Sequence, residues 1–259
     1  MRTRLRRVLA PLRSTPLHPL WLVERQHRNR AAWIASRARG TVLDIGCADR
    51  SITRQLSTCD QYVGLDYPVT ADGLYGTRPD LYGDARRLPI ADNCFDTVMF
   101  LDVLEHVHRP DLAIAEAARV LKRDGRMLLT IPFAYPMHDQ PHDYQRITEH
   151  GLVQLLHDTG LQAKTITEIG TAAESAASNF CIALAQGAID SMEARSWRSL
   201  LVPVVGITVL LANLAGWSAA RPPPRRSRPG TPGTACRRGR APGRPARRRG
   251  PGRGRRAAR

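Results

Sequence analysis

From Thr41 to Gly170 the chain alternates short β-rich runs with helix-forming stretches, and no other feature narrows its fold as far. Strand-like runs occupy 41–46 (TVLDIG), 61–66 (QYVGLD), 81–85 (LYGDA), 95–101 (FDTVMFL), 126–133 (RMLLTIPF) and 161–170 (LQAKTITEIG). Among them lie the helical candidates SITRQL, LAIAEAARVLK (112–122) and TEHGLVQLLHDTG (148–160). Strand, helix, strand in repetition requires crossover connections, which make the strands parallel. The expected fold is α/β, a doubly wound, mostly parallel, Rossmann-like sheet. Leu112, Ala115, Ala118 and Leu121 form the stripe expected to face it, with "RDG" stopping that helix. Asp49 is expected to cap SITRQL, and Thr148 the helix of 148–160.

Ligands of such sheets sit beyond the carboxyl ends of the strands, and three acids fall there. Asp44 lies near the end of the first run, followed by Gly46 and no further glycine of a G-x-G-x-x-G fingerprint. A carboxylate repels a pyrophosphate and attracts a ligand carrying an ammonium and a sulfonium. S-adenosylmethionine is such a ligand, and Gly46 lets the backbone approach it. Asp66 ends the second run, where it can accept two ribose hydroxyls, and Asp84 ends the third, within reach of an adenine amine. A nicotinamide-dependent oxidoreductase is disfavoured by the missing glycines and by Asp44.

The stretches VLDIGCADRS, YVGLDYP, GDARRLPIADNCFDTVMFLDVLEHV, RPDLAIAEAARVLKRDGRMLLTIPF and HDYQRITEHGLVQLLHDTG follow one another in this order. Together they resemble class I S-adenosylmethionine-dependent methyltransferases of the type 11 subgroup, from about Thr41 to Gly170. The resemblance implies that Asp44, Gly46, Cys47 and Ala48 hold the methionine end, Asp66 and Tyr67 the ribose, Asp84 and Ala85 the adenine, with Leu101 lining the site. It also implies a closing antiparallel seventh strand. One departure stands out: the family's first motif carries a further glycine where this chain has Ala48 or Arg50.

The sulfonium already activates the methyl group, so the protein mainly has to align an acceptor. The loop FAYPMHDQPHDYQRIT (133–148) follows the fifth run and is expected to wall the acceptor pocket through Tyr135, His138, His142, Tyr144 and Arg146. His138, His142 and His106 are the candidate bases for an oxygen acceptor; alternatively, Asp143 and Arg146 simply tie the loop down. The histidine spacing is poor for a metal, and none is expected. The acceptor class is a small molecule, a glycan or a lipid-linked group.

The formal net charge of +16 suggests nucleic acid until its distribution is followed. Residues 221–259 hold fifteen arginines and no acid, and residues 1–40 ten arginines against Glu24. Residues 41–220 are left with fourteen basic residues against twenty-two acids. The arginine-rich tail has no aromatic residue to stack on bases, so nucleic acid is not the expected partner. The organisation expected is a basic extension over 1–40 without fixed structure, a catalytic domain over 41–195, a hydrophobic segment over 196–220 and a disordered tail over 221–259. The five cysteines form no C-x-x-C pair and fit a reducing, cytoplasmic setting. The uncharged SLLVPVVGITVLLANLAGW (199–217) is long enough to span a bilayer, yet Pro203, Gly206 and Asn213 interrupt it. It is expected to be buried or peripheral before it is a span, placing the chemistry at the inner membrane face if it reaches lipid. Arg, Pro, Gly and Ala fill thirty-five of the last thirty-nine positions, as in GC-rich DNA read out of frame. The tail is therefore expected to be a frame-shift product, and the sheet to lack its closing strand.

Overall fold

The computed structural model describes residues 10–220 and 233–238. Its sheet contains β1 (Gly40–Ile45), β2 (Cys59–Asp66), β3 (Leu81–Tyr82), β4 (Phe95–Leu101), β5 (Leu121–Thr130), β6 (Leu161–Thr165) and β7 (Gly233–Arg238). They lie in the order β3-β2-β1-β4-β5-β7-β6, with β1 to β5 mutually parallel and β7 antiparallel to both its neighbours. The chain winds outward from β1 to β3, then crosses back to place β4 on the other side of β1. That reversal opens a crevice at the carboxyl ends of β1 and β4, where ligands of doubly wound sheets bind.

Helices α1 (Trp21–Ala35), α2 (Pro110–Val120), α3 (Glu149–Asp158), α4 (Ala172–Glu193) and α5 (Val202–Ala219) cover the sheet and its end. Strand alternation divides the core. Leu43, Ile45, Val98, Phe100, Met127 and Leu129 bury one face with Ile114 and Ala117 of α2 and Leu152 and Leu156 of α3. Val42, Met99 and Leu128 turn to the other face, under Ile34 of α1 and Ala38. Thr148 caps α3, its hydroxyl accepting from the Gly151 amide at 3.1 Å. Thr171 and Glu174 make a reciprocal capping box on α4.

Several expectations are corrected. The slot for the closing strand is filled, because Gly233–Arg238 pairs with both β5 and β6. The rest of the tail, on which the frame-shift reading rests, lies outside the described residues. Residues 51–55 form a 3-10 turn in place of a helix; Asp49 still accepts from the Ser51 amide at 3.0 Å. The strand expected over 126–133 begins at Leu121, and that over 161–170 ends at Thr165. Leu112 is 41% exposed, since the buried stripe of α2 runs through Ala113, Ile114, Ala117 and Ala118. The basic extension is ordered from residue 10 onward: α1 buries Trp21, Leu22 and Ile34. Charge misled here, because its arginines ride on a helix whose apolar positions are buried.

The hydrophobic segment is α5, preceded by a 3-10 turn over Trp197–Leu201. One side docks on α4: a Cβ on Gly216 would stand 2.5 Å from the Ala177 Cβ. Asn213, fully buried, donates to the carbonyls of Pro16 and His18 at 2.8 and 3.0 Å. The other side leaves Val204, Ile207, Leu211 and Trp217 exposed.

Candidate active site

At the end of β1 the chain must turn sharply, and Gly46 takes φ +75°, where a Cβ would meet Val103 at 2.5 Å. The amides of Gly46 and Cys47 both donate to the Leu65 carbonyl, at 2.8 and 3.2 Å. The Ala48 amide donates to Asp66 Oδ2 at 2.9 Å. With these three amides bonded internally, Gly46, Cys47 and Ala48 offer no N–H cradle for a phosphate. Ala48 and Arg50 stand in the left-handed region, φ 45° and 56°, at the places where the resemblance calls for glycine. Arg50 is held there by a two-pronged pair with Asp80, at 3.0 and 2.8 Å, and lies 5.2 Å from the Tyr62 ring centroid.

Asp44 is buried behind this turn. Its Oδ2 accepts from the Tyr62 hydroxyl at 2.7 Å, while Oδ1 is buried without a partner. Burial, reinforced by the nearby Asp66 charge, pushes its pKa up to about 7 against the opposing Tyr62 hydrogen bond. The same pairing, added to burial, raises the Tyr62 phenol, and burial pushes the Cys47 thiol up to about 12. Oδ1 is thus open to a further donor or a cation. Asp66, also buried, accepts from the Ala48 and Tyr67 amides and the Thr70 hydroxyl, leaving about one lone pair for a ligand. Asp84 stands past β3, gripped by Arg86 through contacts of 2.6 to 3.1 Å that lower its pKa. Leu101 ends β4, beside β1.

From Leu101 a cleft of about 1450 Å³ opens over the ends of β4 and β5, between α1 and α4. Tyr135, His106 and His138 line it together. The His106 and His138 rings meet edge to face at 4.8 Å, and the Tyr135 ring lies 5.2 Å from His138. His106 Nδ1 sits 3.0 Å from the His142 carbonyl, and burial lowers its pKa, favouring the neutral base. His142, Tyr144 and Arg146 do not line the cleft. The His142 ring is 3.2 Å from the Tyr144 hydroxyl, and Arg146 grips Asp143 at 2.5 and 2.8 Å, holding that carboxyl well below its usual range. Arg146 ties the loop down.

Three polar groups escaped sequence reasoning. Asp102, the first residue past β4, accepts from the Thr130 hydroxyl at 2.8 Å and pairs with Arg30 of α1. The strand-end rule that found Asp44 would have found Asp102; Arg30 had no signal, because α1 was unrecognised. Tyr62 could be found from register, since it pairs with Val42 and so shares a face with Asp44.

Residues 43–129 match the methyltransferase domain family. A demethylmenaquinone methyltransferase of Renibacterium salmoninarum is 42% identical over 62 residues, 23% of this chain and 26% of that protein. One of Mycobacterium bovis is 34% identical over 91 residues, 34% of this chain and 39% of that protein. The chain thus spans well under half the length of these curated relatives. A solved S-adenosylmethionine-dependent methyltransferase from Aquifex aeolicus aligns with TM-score 0.41 at 16% identity, over 64% of this chain and 92% of that one.

Proposed function

We propose that the chain, whose residues 43–129 match the methyltransferase domain family, moves a methyl group from S-adenosylmethionine to a small-molecule acceptor in the cleft. The observation that carries this reading is Asp44: a buried carboxylate with an unpartnered oxygen, behind a turn whose amides are already bonded. That combination favours a cationic ligand over a phosphate. Asp44, Gly46, Cys47 and Ala48 would hold the methionine end, Asp66 and Tyr67 the ribose, and Asp84 and Ala85 the adenine once Arg86 yields. Leu101 would lie between the two halves of the site. When bound, the donor supplies an activated methyl on a sulfonium. The cleft orients the acceptor, and His106 or His138 can take a proton from an acceptor hydroxyl.

The relatives' names concern a quinone, and for this chain a lipid-linked acceptor is the finer proposal. The supporting feature is α5, long and apolar enough with its preceding turn to cross a membrane by length and composition, yet docked on α4 with an apolar side exposed. A helix docked in this way suits a protein lying on a bilayer and drawing its acceptor from it. Calorimetry with S-adenosylmethionine and with NADPH tests the central claim. Binding of the first alone is expected; binding of NADPH alone would overturn it.

A further inference from the structure

Glu105, His106 and His138 converge although no spacing in the sequence announces it: one ligand atom from each lies within 4.8 Å of the others. Glu105 is fully buried, and neither carboxylate oxygen has a partner at hydrogen-bond geometry. Buried carboxylates in a settled core are hydrogen-bonded, and this one has both oxygens open to a partner. His106 Nε2 lies 3.7 Å from Glu105 Oε1, while its Nδ1 faces the His142 carbonyl at 3.0 Å. His138 Nδ1 lies 3.3 Å from the buried Asp143 carboxylate. In both rings an oxygen can therefore fix Nδ1 as the N–H donor and leave the Nε2 lone pair free. Metal-bound histidines are oriented by this kind of outer partner.

We propose that Glu105, His106 and His138 bind one divalent transition-metal cation, with Zn2+ the best-suited ion. Two imidazoles and a carboxylate suit zinc better than magnesium or calcium, which take oxygen. Bonds of about 2.0–2.2 Å place neighbouring donors roughly 3.0–3.5 Å apart, so the cluster closes by an ångström or so on binding. His106 and His138 both line the cleft, which turns the open coordination positions toward it. Three protein ligands and an open position form a site that takes an oxygen of a small molecule, unlike a closed structural centre. The cation site does not depend on the methyl-transfer reading, and with the cation bound His106 and His138 are ligands, so either can act as a base only in the metal-free protein.

The test uses the tag-free full chain, stripped with a chelator and titrated with Zn2+ against a chromophoric competitor, then with Co2+ followed by visible absorption. One equivalent per chain is expected, with a Co2+ band free of thiolate charge transfer. His138→Gln, on the surface loop, should weaken binding at least tenfold, on the order of what losing even an outer partner does. Glu105→Gln should do the same, with circular dichroism confirming its fold. His157→Gln, at an exposed histidine on α3, should leave affinity unchanged. No stoichiometric binding, affinity unmoved by His138→Gln, or a thiolate band pointing to the cysteines would each overturn the proposal.

Discussion

Asp44 decides how the donor site responds to pH. With its pKa near 7, the folded protein keeps a proton that the unfolded chain, with an ordinary carboxylate, loses by about pH 4. The native state binds more protons across that window, so stability falls as pH rises from about 4 to 7 and levels off above. Affinity for a cationic ligand moves the other way. Between pH 6 and 8 the ionised fraction rises about tenfold, and S-adenosylmethionine should tighten by a similar factor in calorimetry. Asp44→Asn should bind weakly at both values; a wild-type affinity flat across this window would sink the assignment. Ala48, at φ 45°, bears a left-handed backbone that glycine adopts freely. Ala48→Gly should therefore stabilise by about 0.5–1 kcal/mol in urea unfolding. Arg50→Gly would relieve the same strain while losing the Asp80 pair, so little net change is expected. Asp44, Asp66 and Asp84 were legible because a carboxylate closing an apolar run is conspicuous, although Asp102 stands in the same kind of place and was passed over. Tyr62, the partner of Asp44, and Arg30, the partner of Asp102, were not, since each reaches the site from another element.

At the scale of elements, the contact between α4 and α5 shows what a local pattern leaves open. NFCIAL (179–184), apolar enough to read as a strand, lies inside a helix of 22 residues begun by the Thr171–Glu174 box. The local pattern was ambiguous, and the capping residues carried the better signal. Gly216 permits the close crossing, so Gly216→Leu should lower stability by about 1–3 kcal/mol, read from thermal melts. An unchanged melt would mean that the helices separate freely. In the sheet, the first five strands were legible from apolar runs with turns between them. β7 was not, because GTACRR has neither apolar alternation nor β-branched density, and only its place between β5 and β6 defines it.

For the whole molecule, truncation after Ala220 removes β7 and leaves facing edges on β5 and β6. A handful of ladder bonds at about 0.5–1.5 kcal/mol each makes a loss on the order of 3 kcal/mol, with aggregation from the open edges. Equal melting temperatures for the two forms would show that the strand carries no stability, and resequencing across the Trp217 codon checks the origin of the tail. Flotation with anionic vesicles should recover the protein through α5, and Leu211→Glu, on the exposed side, should release it. Asn213 reaches back across almost the whole chain to Pro16 and His18. During synthesis the segment around Pro16 and His18 must therefore wait until α5 leaves the ribosome before it can be latched. This latch is a late step of folding, made after the sheet has received Ile34 of α1. Arrested nascent chains ending before and after residue 213 should differ sharply in protease resistance around α1.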